Sequence, residues 1–287
     1  MNSVFDHRVC ALGEGPLWHP TRQQLFWFDI VGKRLLTNTD SGGPQEWQFN
    51  EHVSAAGWLD HDTLLIASET GLWRFSIADS SQELERALEA DNPVTRSNDG
   101  RADPWGGFWI GTMGKNAETG AGAIYRLFRG ELRKLFPSIT ISNAICFSPD
   151  RQFAYYTDTV TRLVMRQQLE PQDGWPEGEA DVYLDLRSEG LNPDGAVIDA
   201  NGNMWLAQWG ASRVACYSTD GQFKNAIECD ALQASCPAFG GPELCTLFCT
   251  TAAVDLSAET LAQQPSNGVT FLSENAGMGQ SEHQVIL

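Results

Sequence analysis

At 287 residues and 42% hydrophobic content the chain is long enough to bury a large core, and its 10 Trp suit broad packed faces. The formal net charge of −18 excludes nucleic acid as a partner, which needs a basic surface, and disfavours an anionic membrane. Seven Cys with no CxxC pair are expected to be reduced thiols of a cytoplasmic protein, not a disulfide framework or a zinc site.

In chain order, the first sixteen residues lack the basic and apolar regions of a secretion signal, and no later stretch approaches 18 uncharged apolar residues. Neither a leader nor a membrane span is expected. VFDHRVCAL near the N-terminus reads as a strand without a partner in its own repeat. Six stretches then follow one plan: an opening segment, a turn, a strand-like run and a second strand-like run. The first opens at Glu14 (EGPLWHP, then LFWFDI and KRLLTNT) and closes on a turn at Asp40-Ser-Gly-Gly. The second opens at Ala55 (AAGWLD, TLLIAS, GLWRFSI) and the third at Asn98 (NDGRADP, GFWIGT, GAIYRLF). The fourth opens at Asn143 (NAICFSP, FAYYTD, TRLVMRQ), the fifth at Asp194 (DGAVID, NMWLAQ, SRVACYS) and the sixth at Cys236 (CPAFGG, TLFCTT, NGVTFLS). Helical periodicity is weak throughout; only 257–264 resembles a short capped turn. The C-terminal HQVIL reads as a second strand without a partner, and one terminal strand is expected to complete the other's blade and clasp the ring.

The opening residues lie 41, 43, 45, 51 and 42 positions apart. Self-similarity near 40 residues, built from short strands, predicts an all-β fold: a six-bladed β-propeller occupying 1–287 as a single domain. A closed ring of this kind is expected to be a monomer or a weak homo-oligomer.

In a propeller the innermost strand of each blade runs along the central channel, and its opening residue faces one mouth. Ala55 and Cys236 suit that buried position. Glu14, Asn98, Asn143 and Asp194 do not: two carboxylates and two amides converge on the axis. Unpaired carboxylates there cost several kcal/mol, so a cation or protons must compensate. Glu14, Asn143 and Asp194 offer only oxygen, a set suited to one divalent cation such as Ca²⁺, Mg²⁺ or Mn²⁺ and tolerable to Zn²⁺ and Fe²⁺. Three protein ligands leave positions open for water or substrate.

Other polar residues read more plainly. Asp99 and Asp103 are placed in a turn, bonding backbone, and Asp158 either lines the mouth or braces a loop. Trp18 and Trp205 are expected in the core, with Trp209 a possible apolar wall. The five His show no metal-ligand spacing and none is assigned to chemistry; without a GxSxG elbow a serine hydrolase has little support.

The motifs LGEGPLW (12–18), RSNDGRADPWGGFWIGTM (96–113), ISNAICFSPD (141–150), NPDGAVIDANGNMWLA (192–207) and CPAFGGPELCTLFCTTA (236–252) resemble the gluconolactonase/regucalcin family of sugar lactonases, bacterial branch. The resemblance spans nearly the whole chain. It implies a six-bladed propeller with one divalent cation at the channel mouth, and hydrolysis of a pentono- or hexonolactone to the aldonic acid. It places the metal on Glu14, Asn143 and Asp194, the catalytic base on Asp194, and substrate contacts on Arg96 and Asn98. Regucalcin-type members carry an acidic residue shortly after the GTM motif to bind substrate hydroxyls. Here Asn116 stands in its place, beside Lys115, which leaves the sugar preference open but not the reaction. Two rival readings are a phosphotriester or aryl-ester hydrolase on the same scaffold and a non-catalytic calcium-binding propeller.

Overall fold

A computed structural model describes residue 1 and residues 3–39 and 42–287, so the turn expected at Asp40 and Ser41 lies outside the described residues. Within them the chain forms six four-stranded antiparallel sheets. Each repeat supplies runs of apolar and β-branched residues too short for a helix and separated by turns, so adjacent strands pair by hairpins. In the first blade, Gly13–His19, Gln24–Asp29, Arg34–Asn38 and Pro44–Gln48 pair in that order. Blades two to five repeat the scheme from inner strands Val53–Trp58, Thr95–Ala102, Ser142–Phe147 and Asn192–Ile198. Every residue of Gly13–His19 is buried, whereas Gln82–Ala87, an outer strand, is mostly exposed.

The sixth blade is built from both ends of the chain. Gln233–Gly240, Thr246–Ala252 and Thr270–Ser273 are joined by the N-terminal strand Ser3–Asp6 as the outermost member. This clasp is the expected one, but its second half is not: 283–287 forms no strand. The C-terminal segment instead crosses the far end of the channel, beyond the ends of four inner strands. Gln280 Nε2 donates to Ile198 O, Trp58 Nε1 donates to Glu282 O, and the Ile286 N–H donates to Gly106 O. Arg101 and Glu282 pair beneath it, and Val285 is buried against Phe108 and Leu65. The segment turns its apolar residue into the gap between two blades rather than adding an edge strand. The insertion before Thr270 holds the one α-helix described, Ala258–Gln263, whose Ser257 hydroxyl accepts the Thr260 N–H as the expected N-cap.

The core follows the ring. Six apolar clusters each bridge two neighbouring blades, from Phe28 with Ile66 and Phe75 between the first and second to Trp18 with Phe248 between the sixth and first. Trp18 and Trp205 lie in these clusters. All seven Cys are free and six are buried. No helix among the described residues is long and apolar enough to cross a membrane.

One irregularity recurs and matters for function. Each inner strand breaks its ladder to the second strand once, near its start: after Glu14, Val53, Ser97, Asn143, Pro193 and Ala234. A bulge of this kind turns side chains out of the pleat, and here it turns them toward the channel mouth. The register also corrects the sequence alignment in two blades. The bulged residues of the second and sixth are Ser54 and Ser235, and Ala55 and Cys236 pair normally one place later.

Candidate active site

At and just before these bulges, Glu14, Arg96, Asn98, Asn143 and Asp194 line one cavity of about 530 Å³. Five of the six expected site residues, drawn from four blades, therefore share this cavity. Asn116 joins them at the rim, exposed, with its backbone and amide N–H groups donating to Glu118 at 3.0 Å. Trp209 lines the wall as anticipated, with Met113 and Ile141.

The local backbone explains how the carboxylates are aimed. Gly15, after Glu14, adopts φ +52°, and a Cβ there would lie 2.2 Å from Ser54 O in the next blade. Only glycine allows both the left-handed turn and that approach. Pro16 follows where the ladder is already broken, so its missing N–H costs nothing. In the fifth blade Gly195 plays the second part: a Cβ would stand 2.3 Å from Cys236 Sγ. In the fourth, Ala144 takes φ +55° after Asn143. The Ile145 N–H beyond it donates to Asp99 Oδ2 at 2.7 Å, which holds the bulge in shape. Asp99 thus lies in the inner strand and not in a turn, although backbone bonding is indeed its role. Asp103 is in a turn, accepting from Trp105 N, Gly107 N and the buried Arg126. Asp158 braces a loop through Thr140 N and Ile141 N.

A directed chain of hydrogen bonds sets the amides. Arg96 Nη1 donates to Asn98 Oδ1 at 2.7 Å, and Asn98 Nδ2 donates to Ser142 O at 2.8 Å and to Asn143 Oδ1 at 3.0 Å. Asn143 Nδ2 donates to Thr159 Oγ1, which donates to Pro193 O, both within 2.9 Å. Both amide hydrogens of Asn98 are thereby spent, leaving it one lone pair for a ligand. Asn143 Oδ1 accepts one hydrogen bond and keeps a second lone pair, and Asn143 lines the cavity.

Glu14 and Asp194 are each only 5% exposed and form no salt bridge among the described residues. Burial, then the charge of Asp99, pushes Glu14 up to about 8 against the Gly15 N–H and Arg96. Burial, then Glu14 and Asp99, holds Asp194 well above the usual carboxylate range. Asp99 rises to about 6, chiefly by burial and against the Ile145 N–H. The cation facing them is Arg96, itself 7% exposed and lowered by burial to about 10 while Glu14, Glu69 and Asp194 oppose that fall. Two buried, mutually repelling carboxylates without an ion-pair partner, plus an oriented amide oxygen, fit a hard divalent ion. Among the described residues no group of three His, Cys, Asp or Glu is disposed to hold a metal; beside the two carboxylates the further side-chain oxygen is that of Asn143.

His52, which has no assigned role in the sequence reading, lies in the same wall. It stands two residues ahead of the second blade's bulge, as Arg96 does in the third, and that repeat position was the available signal. Its Nδ1 bonds Glu69, which also accepts the His52 N–H at 3.1 Å and pairs with Lys115 at 2.6 Å. Burial alone would raise Glu69; Lys115 and His52 instead bring it down to about 2.

Residues 12–253 match the SMP-30/Gluconolactonase/LRE-like region. The chain belongs to that family. Among solved structures it is similar to the calcium-binding protein regucalcin of Agrobacterium tumefaciens, with 38% identity, a TM-score of 0.97 and coverage of 99% of this chain and 97% of the other. It is 34% identical to the 6-deoxy-6-sulfogluconolactonase of Pseudomonas putida, covering 91% of this chain and 90% of that protein. It is 32% identical to the L-arabinolactonase of Azospirillum brasilense, covering 93% and 90%. Membership in the family agrees with the resemblance read from the motifs.

Proposed function

We propose that this protein is a lactonase that hydrolyses a sugar aldonolactone to the aldonic acid with one divalent cation. The observation that carries this reading is the pair of buried, ion-pair-free carboxylates beside an oriented amide at the mouth of a cavity. Glu14, Asn143 and Asp194 would hold the cation. When bound, it supplies Lewis acidity toward the ester carbonyl and neutralises the two carboxylates. Asp194, ionised beside the cation, would take a proton from the water that adds to the carbonyl and return it to the ring oxygen as the acyl C–O bond breaks. Arg96 offers the guanidinium donors that Asn98 and Ser97 do not use, a planar fork for a ring oxygen or hydroxyl. Asn98 acts mainly through Asn143, whose amide it fixes. The apolar wall of Met113, Ile141 and Trp209 limits water around the ring face. Relatives that are a sugar lactonase by name support the substrate class.

Following acid release with a pH indicator, before and after chelation, tests the proposal. Lactone opening that stops on chelation and returns with a divalent ion is expected. Turnover confined to phosphotriesters or aryl esters would replace the substrate class, and cation uptake with no turnover would leave a binding protein.

A further inference from the structure

Beyond the reaction, the cavity holds a group that neither the motifs nor the hydrolytic step uses. We propose that His52 Nε2 is a substrate-recognition atom: a bare lone pair that accepts a hydrogen bond from a hydroxyl of the lactone ring. This assignment rests on the lactonase reading and adds what the site selects.

The geometry of the Glu69 cluster fixes the tautomer. Glu69 is an acceptor on three sides, receiving the His52 N–H, the His52 ring and the Lys115 ammonium. A carboxylate so engaged has no proton to give, so His52 Nδ1 carries the hydrogen. In a neutral imidazole the other nitrogen is then an acceptor only. Nε2 finds no hydrogen-bond partner among the described residues, and His52 lines the cavity with Arg96 and Lys115. Lys115 is held back by the same carboxylate. Asn116, the next residue along that wall, has its amide N–H turned to Glu118. The wall therefore offers donors at Arg96 and an acceptor at His52, on the second and third blades. A polyhydroxylated ring matches that donor–acceptor pattern; an unsubstituted lactone has no hydroxyl to give to His52. A site that hydrogen-bonds a substrate hydroxyl disfavours the analogue that lacks it.

The test compares two lactones on the metal-loaded enzyme: glucono-1,5-lactone and δ-valerolactone, which has no hydroxyls. His52→Ala is expected to lower kcat/KM for gluconolactone about tenfold, mainly through KM, and to change that for valerolactone less than twofold. His52→Gln, which restores an acceptor, is expected to recover part of the loss. Equal losses on both lactones would make His52 structural or catalytic and overturn the proposal, as would no loss on either. ¹⁵N spectra of histidine-labelled protein near neutral pH supply a second reading that needs no turnover. They are expected to show Nε2 unprotonated and shifting when gluconate is added; a hydrogen on Nε2 overturns the assignment. A wild type that opens no pentono- or hexonolactone removes the lactonase reading itself, whereas an active wild type with an indifferent His52→Ala removes only the role of His52.

Discussion

Glu14→Gln offers the sharpest test of the charge arrangement, because it should make the protein worse at its work and more stable without metal. An unfolded glutamate titrates near 4.5, and in the folded, metal-free site burial and Asp99 hold Glu14 up at about 8. Between those values the folded state keeps a proton that the unfolded chain has released. Stability from this group is therefore complete below 4.5 and declines as pH rises toward 8. At 1.36 kcal/mol per pH unit the loss amounts to roughly 5 kcal/mol for Glu14 taken alone. Unfolding entropy of about 2.1 cal/mol/K per residue then turns that into roughly 8 °C of thermal midpoint for a chain of this size. The glutamine needs no proton, so chelated Glu14→Gln should unfold at a higher temperature than chelated wild type at pH 8, and the gap should close by pH 5. Added divalent cation should reverse the order, because the wild-type site binds it and the variant has lost a ligand. Scanning calorimetry at pH 5, 6.5 and 8, with chelator and with cation, reads all of this. A chelated wild type that matches or exceeds Glu14→Gln at pH 8 would refute the reasoning.

Asp194→Asn should still take up cation by calorimetric titration while turnover falls by about 10²–10⁴; a rate near that of wild type removes Asp194 as base. Away from the site, Asp103→Ala should cost about 3–5 kcal/mol in urea unfolding, since it leaves the fully buried Arg126 only the faces of Phe128 and Trp175, its other donors having no hydrogen-bond partner among the described residues. A loss under 1 kcal/mol would mean that Arg126 finds solvent. Val285→Ala should cost about 2 kcal/mol by leaving a void between the second and third blades. An unchanged midpoint would show that the C-terminal segment does not contribute to ring stability.

The repeat, the strand runs and the polar residues opening four repeats were legible in the chain because each is a local pattern. Short apolar runs with turn residues between them admit only strands, and a carboxylate where a buried channel position is due marks itself. Glu14, Arg96, Asn98, Asn143 and Asp194 were named from that pattern and the family motifs, and folding brings them to one cavity. The tertiary structure decided what depends on register and on distant partners. Whether a residue stands at a bulge or one place past it rests on cross-strand hydrogen bonds, so Ser54 and Ser235 could not be told from Ala55 and Cys236 in the linear text. The C-terminal HQVIL carries a strand's composition, but the gap that receives Val285 exists only once the second and third blades have packed. His52 shows the same limit most plainly. An isolated histidine has no assigned tautomer and no direction; both come from Glu69 and Lys115, which lie 17 and 63 residues away in sequence and meet it only when the second and third blades stand side by side.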